Sequence, residues 1–73
     1  MNAPSPTAAH LGQRIRQARI DRGWSQLELC ARAGVSRPTV ARIEAGHDVS
    51  TATLTKVARA LGLVVELEAE RQG

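Results

Sequence analysis

Two apolar periods divide this 73-residue chain. Up to Gly62 the apolar positions recur three or four residues apart, the spacing of one helical face: Leu11, Ile15 and Ala18; Leu29 and Cys30; Val40 and Ile43; then Leu54, Val57, Ala58 and Leu61. Beyond it, LVVELEAE, Leu63 to Glu70, alternates residue by residue. That period predicts a β-strand with one oily and one acidic face. A lone strand leaves N–H and C=O groups unpaired on both edges, so this one requires a partner.

Serine and glycine punctuate the helical part. Ser25, Ser36 and Ser50 each follow an apolar residue (Trp24, Val35, Val49), and each of these is matched five positions on by another (Leu29, Val40, Leu54). This is a serine N-cap with a hydrophobic staple, written three times. Glu28, three residues after Ser25, adds the signature of a capping box. Gly23, Gly34, Gly46 and Gly62 stand where helices stop. Four helices are predicted, at about 8–22, 26–33, 37–45 and 51–61. The second and third are short and separated only by Gly34, Val35 and Ser36, which fits a helix-turn-helix better than a simple bundle. The expected division is a disordered arm at 1–7, a helix-turn-helix domain at 8–62, and a dimerisation strand and tail at 63–73.

On a helical wheel of about 100° per residue, Val40 and Ile43 mark the buried side of the third helix. Opposite lies a stripe of Arg37, Ala41, Ala45, Pro38 and Arg42, with an arginine at each edge and small residues between. A helix entering a DNA major groove needs a slim middle and long donors able to reach guanine edges or phosphates, and this stripe supplies both. Pro38 falls in the first turn, where its missing N–H has no intrahelical partner anyway. Its ring and the Ala41 methyl could touch a thymine methyl. Gln26, first in the second helix, could bond a phosphate and brace the third helix. Ser50, Thr51 and Thr53 crowd the start of the fourth helix, whose free N–H groups suit a phosphate oxygen. His47, in the loop before it, is a further phosphate-contact candidate, and Asp48 is a turn former. Glu44 falls beside Val40 rather than on the open stripe, so its carboxylate needs a partner. Arg19 is the best-placed one, bracing the third helix.

Charge supports a polyanion partner. Residues 1–61 carry nine Arg or Lys against four Asp or Glu, a net +5, and the remainder carries Arg71 against Glu66, Glu68 and Glu70, a net −2. The basic body faces the polyanion and the acidic end is kept from it. Cys30 is the only cysteine, so no intrachain disulfide staples a chain this short, and no Cys/His cluster has metal-ligand spacing. Self-association is the remaining source of stability. Neither a cofactor nor catalysis is expected: His10, His47, Ser36, Asp48 and Cys30 form no catalytic motif, and so small a core leaves little room for a pocket. Without a run of roughly 18 apolar residues or a signal-peptide pattern in MNAPSPTA, the expected location is the cytoplasm, at the nucleoid, with no membrane partner.

The stretch RGWSQLELCARAGVSRPTVARIEAG, residues 22–46, resembles the helix-turn-helix of the Cro/phage-repressor or XRE family. The resemblance spans about residues 10–62 and implies a mainly α, lambda-repressor-like four-helix fold that binds double-stranded DNA. It implies DNA contacts at Gln26, Arg37, Pro38, Thr39 and Arg42, and a family salt bridge at Arg19 and Glu44. With the cap and loop residues, the candidate DNA-binding set is Gln26, Ser36, Arg37, Pro38, Thr39, Arg42, His47, Ser50 and Thr51. The segment TLTKVARALGLVVELE, residues 53–68, looks like the HipB-type antitoxin subgroup. That narrower resemblance implies that the C-terminal strand pairs antiparallel with its own copy, burying Leu63, Val65 and Leu67 in a homodimer. It also implies a HipA-like kinase toxin as partner and repression of a shared operon from a palindromic operator. The alternatives are a stand-alone XRE-type repressor or restriction–modification controller without a toxin, and, from another class, a protein-interaction adaptor lacking DNA contacts.

Overall fold

The computed structural model describes residues 6–64, as four α-helices: α1 (Pro6–Asp21), α2 (Gln26–Ala33), α3 (Arg37–Glu44) and α4 (Thr51–Ala60). α3 packs against α1 and α2, and α4 packs against α2. Ile15, Leu29, Cys30, Val40, Ile43, Val57 and Leu61 meet in one core, with Val40, Leu29 and Val57 fully shielded. Ala18 and Leu54, also expected inside, are half-buried against that core, and Leu11 is half-buried as well.

Local hydrogen bonding explains where the helices begin. The hydroxyls of Ser25, Ser36 and Ser50 accept from the N–H groups of Glu28, Thr39 and Thr53, three residues on in each case. The preceding residues Trp24, Val35 and Val49 are half-buried against the core, as the staple requires. The capping box at Ser25 is incomplete. Its forward bond is present at 3.0 Å, but the Glu28 carboxylate accepts from Arg32 Nε at 2.7 Å instead of reaching back. A charged donor one turn along the same face competes better for that carboxylate than a neutral N–H. Ser25→Ala is expected to lower stability by about 1 kcal/mol, read as a fall in the urea midpoint at constant m-value.

All four helices stop in the same way. At the end of α2, Gly34 turns to φ +73°, and the Val35 N–H returns to the Cys30 carbonyl at 3.1 Å. A left-handed residue is needed there, and glycine takes that conformation without a Cβ clash. Equivalent returns close α1 (Trp24 to Arg19, 3.1 Å), α3 (His47 to Arg42, 3.0 Å) and α4 (Leu63 to Ala58, 2.9 Å).

α1, α3 and α4 each end one residue earlier than expected, and two differences are larger. α1 starts at Pro6, so Pro6 and Thr7 of the expected arm are helical. Proline is preorganised for the first helical position, and two alanines that follow propagate the helix. At the other end, Leu63 and Val64 open the expected strand but are irregular, and Val65 to Glu70 lie outside the described residues.

Candidate nucleic-acid interface

The turn Gly34–Ser36 brings α3 across the start of α2, leaving one side of α3 in the core and the other open. Val40 and Ile43 are 0% and 3% exposed, whereas Arg37, Pro38, Arg42 and Ala45 all face solvent. Ala41, between the two arginines, is half-buried, which keeps the middle of the ridge low. Arg37 and Arg42 pair with no carboxylate and donate to no acceptor among the described residues, unlike Arg19, Arg22 and Arg32. Two long cationic donors therefore stand uncommitted on either side of a slim ridge.

Behind the ridge, α3 is held by a polar cluster. Arg19 Nε and Nη2 donate to Glu44 Oε2 and Oε1 at 2.7 and 2.9 Å, a two-pronged pair whose side chains are 12% and 4% exposed. A third nitrogen of Arg19, Nη1, donates to the Trp24 carbonyl at 2.8 Å. Gln26 Nε2 adds a bond to Glu44 Oε1 at 3.2 Å. Hydrogen bonding to Glu44 raises the Arg19 pKa above its ordinary value, against a smaller opposing effect of burial. Gln26 thus braces α3 from half-buried cover through its amide nitrogen, and only its amide oxygen lacks a partner among the described residues.

The remaining candidate residues surround the ridge. The hydroxyls of Ser36 and Thr39 bond each other at 2.8 Å at the start of α3, with Ser36 exposed and Thr39 half-buried. His47 is exposed immediately after α3, and Ser50 and Thr51 are exposed at the start of α4. Ser50 Oγ donates to Thr53 Oγ1 at 2.9 Å while capping the Thr53 N–H, so the first two amides of α4 remain available to an anion. No group of His, Cys, Asp and Glu among the described residues could hold a metal ion.

Sequence reasoning passed over two residues that position this surface. Gly12, in α1, is buried against the last turn of α3, where the backbone of Ile43 and Glu44 fills the space a Cβ would need. A glycine inside a helical pattern was the available signal. Arg22 bonds the backbone of both α1 and α4, and a carbonyl acceptor leaves no trace in side-chain patterns.

A short third helix with an open basic ridge, set by a tight turn over a capped second helix, defines a helix-turn-helix DNA-binding protein. The chain belongs to the helix-turn-helix family, whose profile matches residues 15–64, more than half its length, and it is a DNA-binding regulator of the XRE type. No curated protein matches it. Among solved structures it is similar to the restriction-modification controller protein C.AhdI from Aeromonas hydrophila, with 33% identity and a TM-score of 0.74. That likeness covers 82% of this chain and 92% of the controller.

Proposed function

We propose that this chain is a homodimeric transcriptional repressor that places two copies of α3 in successive major grooves of a palindromic operator. The observation that carries the reading is the pair of uncommitted arginines, Arg37 and Arg42, flanking the low ridge of α3. The groove contacts fall to Arg37, Pro38, Thr39 and Arg42, and the phosphate contacts to Gln26, Ser36, His47, Ser50 and Thr51. The two copies are joined through Leu63, Val65 and Leu67, with the α3 helices about 34–36 Å apart. Val64, 85% exposed, supports an apolar segment awaiting a cover at this end of the domain.

Replacing Arg37 and Arg42 together by alanine is expected to weaken operator binding at least about 30-fold, since each good arginine–base contact is worth roughly 1–3 kcal/mol. Both side chains are exposed, so the circular dichroism spectrum should not change. For a dimer neutralising about eight phosphates, log K should fall with log salt at a slope near −7, and fluorescence anisotropy across a salt series reads it. Unchanged affinity in the double variant would leave the adaptor reading in its place.

The likeness to C.AhdI supports the particular role of a restriction–modification controller acting without a toxin. The pattern of residues 53–68 supports a second role, a HipB-like antitoxin that represses its own operon and binds a HipA-like kinase. Purification of the chain from its native cells separates them: a co-purifying kinase favours the antitoxin, and the chain alone favours the controller. Both roles place it in the cytoplasm, on DNA. No helix of the described residues is long and apolar enough to cross a membrane.

A further inference from the structure

Arg22 forms a clamp between the ends of two helices. It stands at the end of α1, where Nη1 donates to the Ala18 carbonyl at 2.9 Å and Nη2 donates to the Leu61 carbonyl at 2.6 Å. Leu61 is the C-cap residue of α4, and the next residue, Gly62, turns the chain at φ +73°. The space a Gly62 Cβ would occupy lies 3.9 Å from Arg22 Nη2, so the guanidinium sits directly against this pivot. Both acceptors lie at the negative ends of helices, where a cation is favoured.

The clamp is also joined to α3. The Arg22 guanidinium carbon lies 5.7 Å from the centroid of the Trp24 ring, and that of Arg32 lies 4.2 Å from it. The Trp24 carbonyl receives Arg19 Nη1, and the other nitrogens of Arg19 hold Glu44 on α3. One connected set of contacts therefore runs from the DNA-facing helix through Arg19, Trp24 and Arg22 to the point where the chain leaves α4.

We propose that Arg22 is a positioning residue that sets the operator half-site spacing, by fixing the direction in which the chain leaves α4 relative to α3. The inference rests on the homodimer proposed above, in which the subunits join beyond Gly62. The separation of the two α3 helices then depends on the angle at that pivot. One base pair corresponds to about 3.4 Å along the duplex, so a small rotation there changes the favoured spacing. Leu63 anchors one side of the pivot through its N–H bond to Ala58 and its packing on the core. Arg22 anchors the other. Arginine suits the role because one planar fork spans two carbonyls, which a lysine ammonium does as a point charge without fixed directions.

The experiment uses the full chain with Arg22→Gln and Arg22→Lys, the latter conserving charge and therefore phosphate attraction. Duplexes carry two copies of the half-site selected by the wild type, separated by spacers varied one base pair at a time. Mass by light scattering and circular dichroism are recorded without DNA. Wild type should be a dimer favouring one spacing. In folded, dimeric Arg22→Gln the preference for that spacing over its neighbours should fall at least about fivefold, the lower end of typical coupling between two sites, with Arg22→Lys between the two. Single half-site affinity should be preserved, which a general loss of structure would not allow. An unchanged spacing profile in either folded, dimeric variant overturns the assignment of Arg22 alone. A wild type that remains monomeric in solution and on DNA overturns the homodimer and this inference together, and light scattering distinguishes the two failures.

Discussion

Replacing Gly12 by alanine should destabilise the protein, although the same change in most helix interiors stabilises by about 1 kcal/mol. Gly12 lies where α1 crosses the end of α3. An added Cβ would meet the Ile43 carbonyl oxygen well inside any normal contact, with Ile43 C at 3.3 Å and Glu44 C at 3.4 Å. These are backbone atoms of a helix, so no rotamer change relieves the overlap, and α3 must move away from α1. Overpacking of this kind costs roughly 1–3 kcal/mol and sometimes more. A domain of this size has only roughly 3–5 kcal/mol to lose, so a substantial unfolded fraction should be present at 37 °C. Urea unfolding followed by circular dichroism and by Trp24, the only tryptophan, measures the loss. Because α3 is the element displaced, DNA affinity should fall further than the folded fraction alone accounts for. An alanine variant as stable as wild type would show that the two helices are not in contact here.

Arg19→Ala should lower stability by about 1–3 kcal/mol, the usual consequence of leaving one member of a part-buried, hydrogen-bonded charge pair without its partner. Glu44 is the member left behind, with a side chain 4% exposed and, among the described residues, only the 3.2 Å bond from Gln26 remaining. The Trp24 carbonyl also loses its guanidinium donor. Arg19→Lys should recover part of the loss, since it keeps the charge but not the two-pronged geometry. Replacing Arg19 and Glu44 together by methionine and leucine should cost far less than either single change, because no buried charge is stranded. Wild type, Arg19→Met, Glu44→Leu and the double variant form a double-mutant cycle read by urea unfolding, and a loss below about 1 kcal/mol in Arg19→Ala would reduce the pair to a surface ion pair. The arginine pKa is raised in the folded state, so its stabilisation is fully present below the unfolded value and is lost only as pH rises through the folded one. Both lie in strongly alkaline solution, so this group should give no pH dependence near neutrality.

What could be read without coordinates follows the range of the interaction concerned. The serine caps and glycine stops act within three to five residues, so their donors and acceptors are neighbours in the sequence, and the helix limits followed within about two residues. Glu28 was misassigned inside that range. Ser25 and Arg32 both lie within its reach, and only side-chain geometry distinguishes a capping box from an i,i+4 pair. The low ridge of α3 was legible because helical periodicity separates Val40 and Ile43 from Arg37 and Arg42. Ala41 alone departs from the open stripe, being half-buried.

By itself the sequence determined the four helices, their caps, which face of α3 is apolar and which carries the arginines, because each is set by residues less than one or two helical turns apart. Only the tertiary structure decided why α1 has a glycine at position 12, how closely α3 approaches it, and that Arg22 ties the exit of α4 to the end of α1. Those features depend on backbone atoms brought together across some thirty to forty positions of chain, and backbone atoms are the same for every residue. Nothing in a pattern of side chains marks where they will meet.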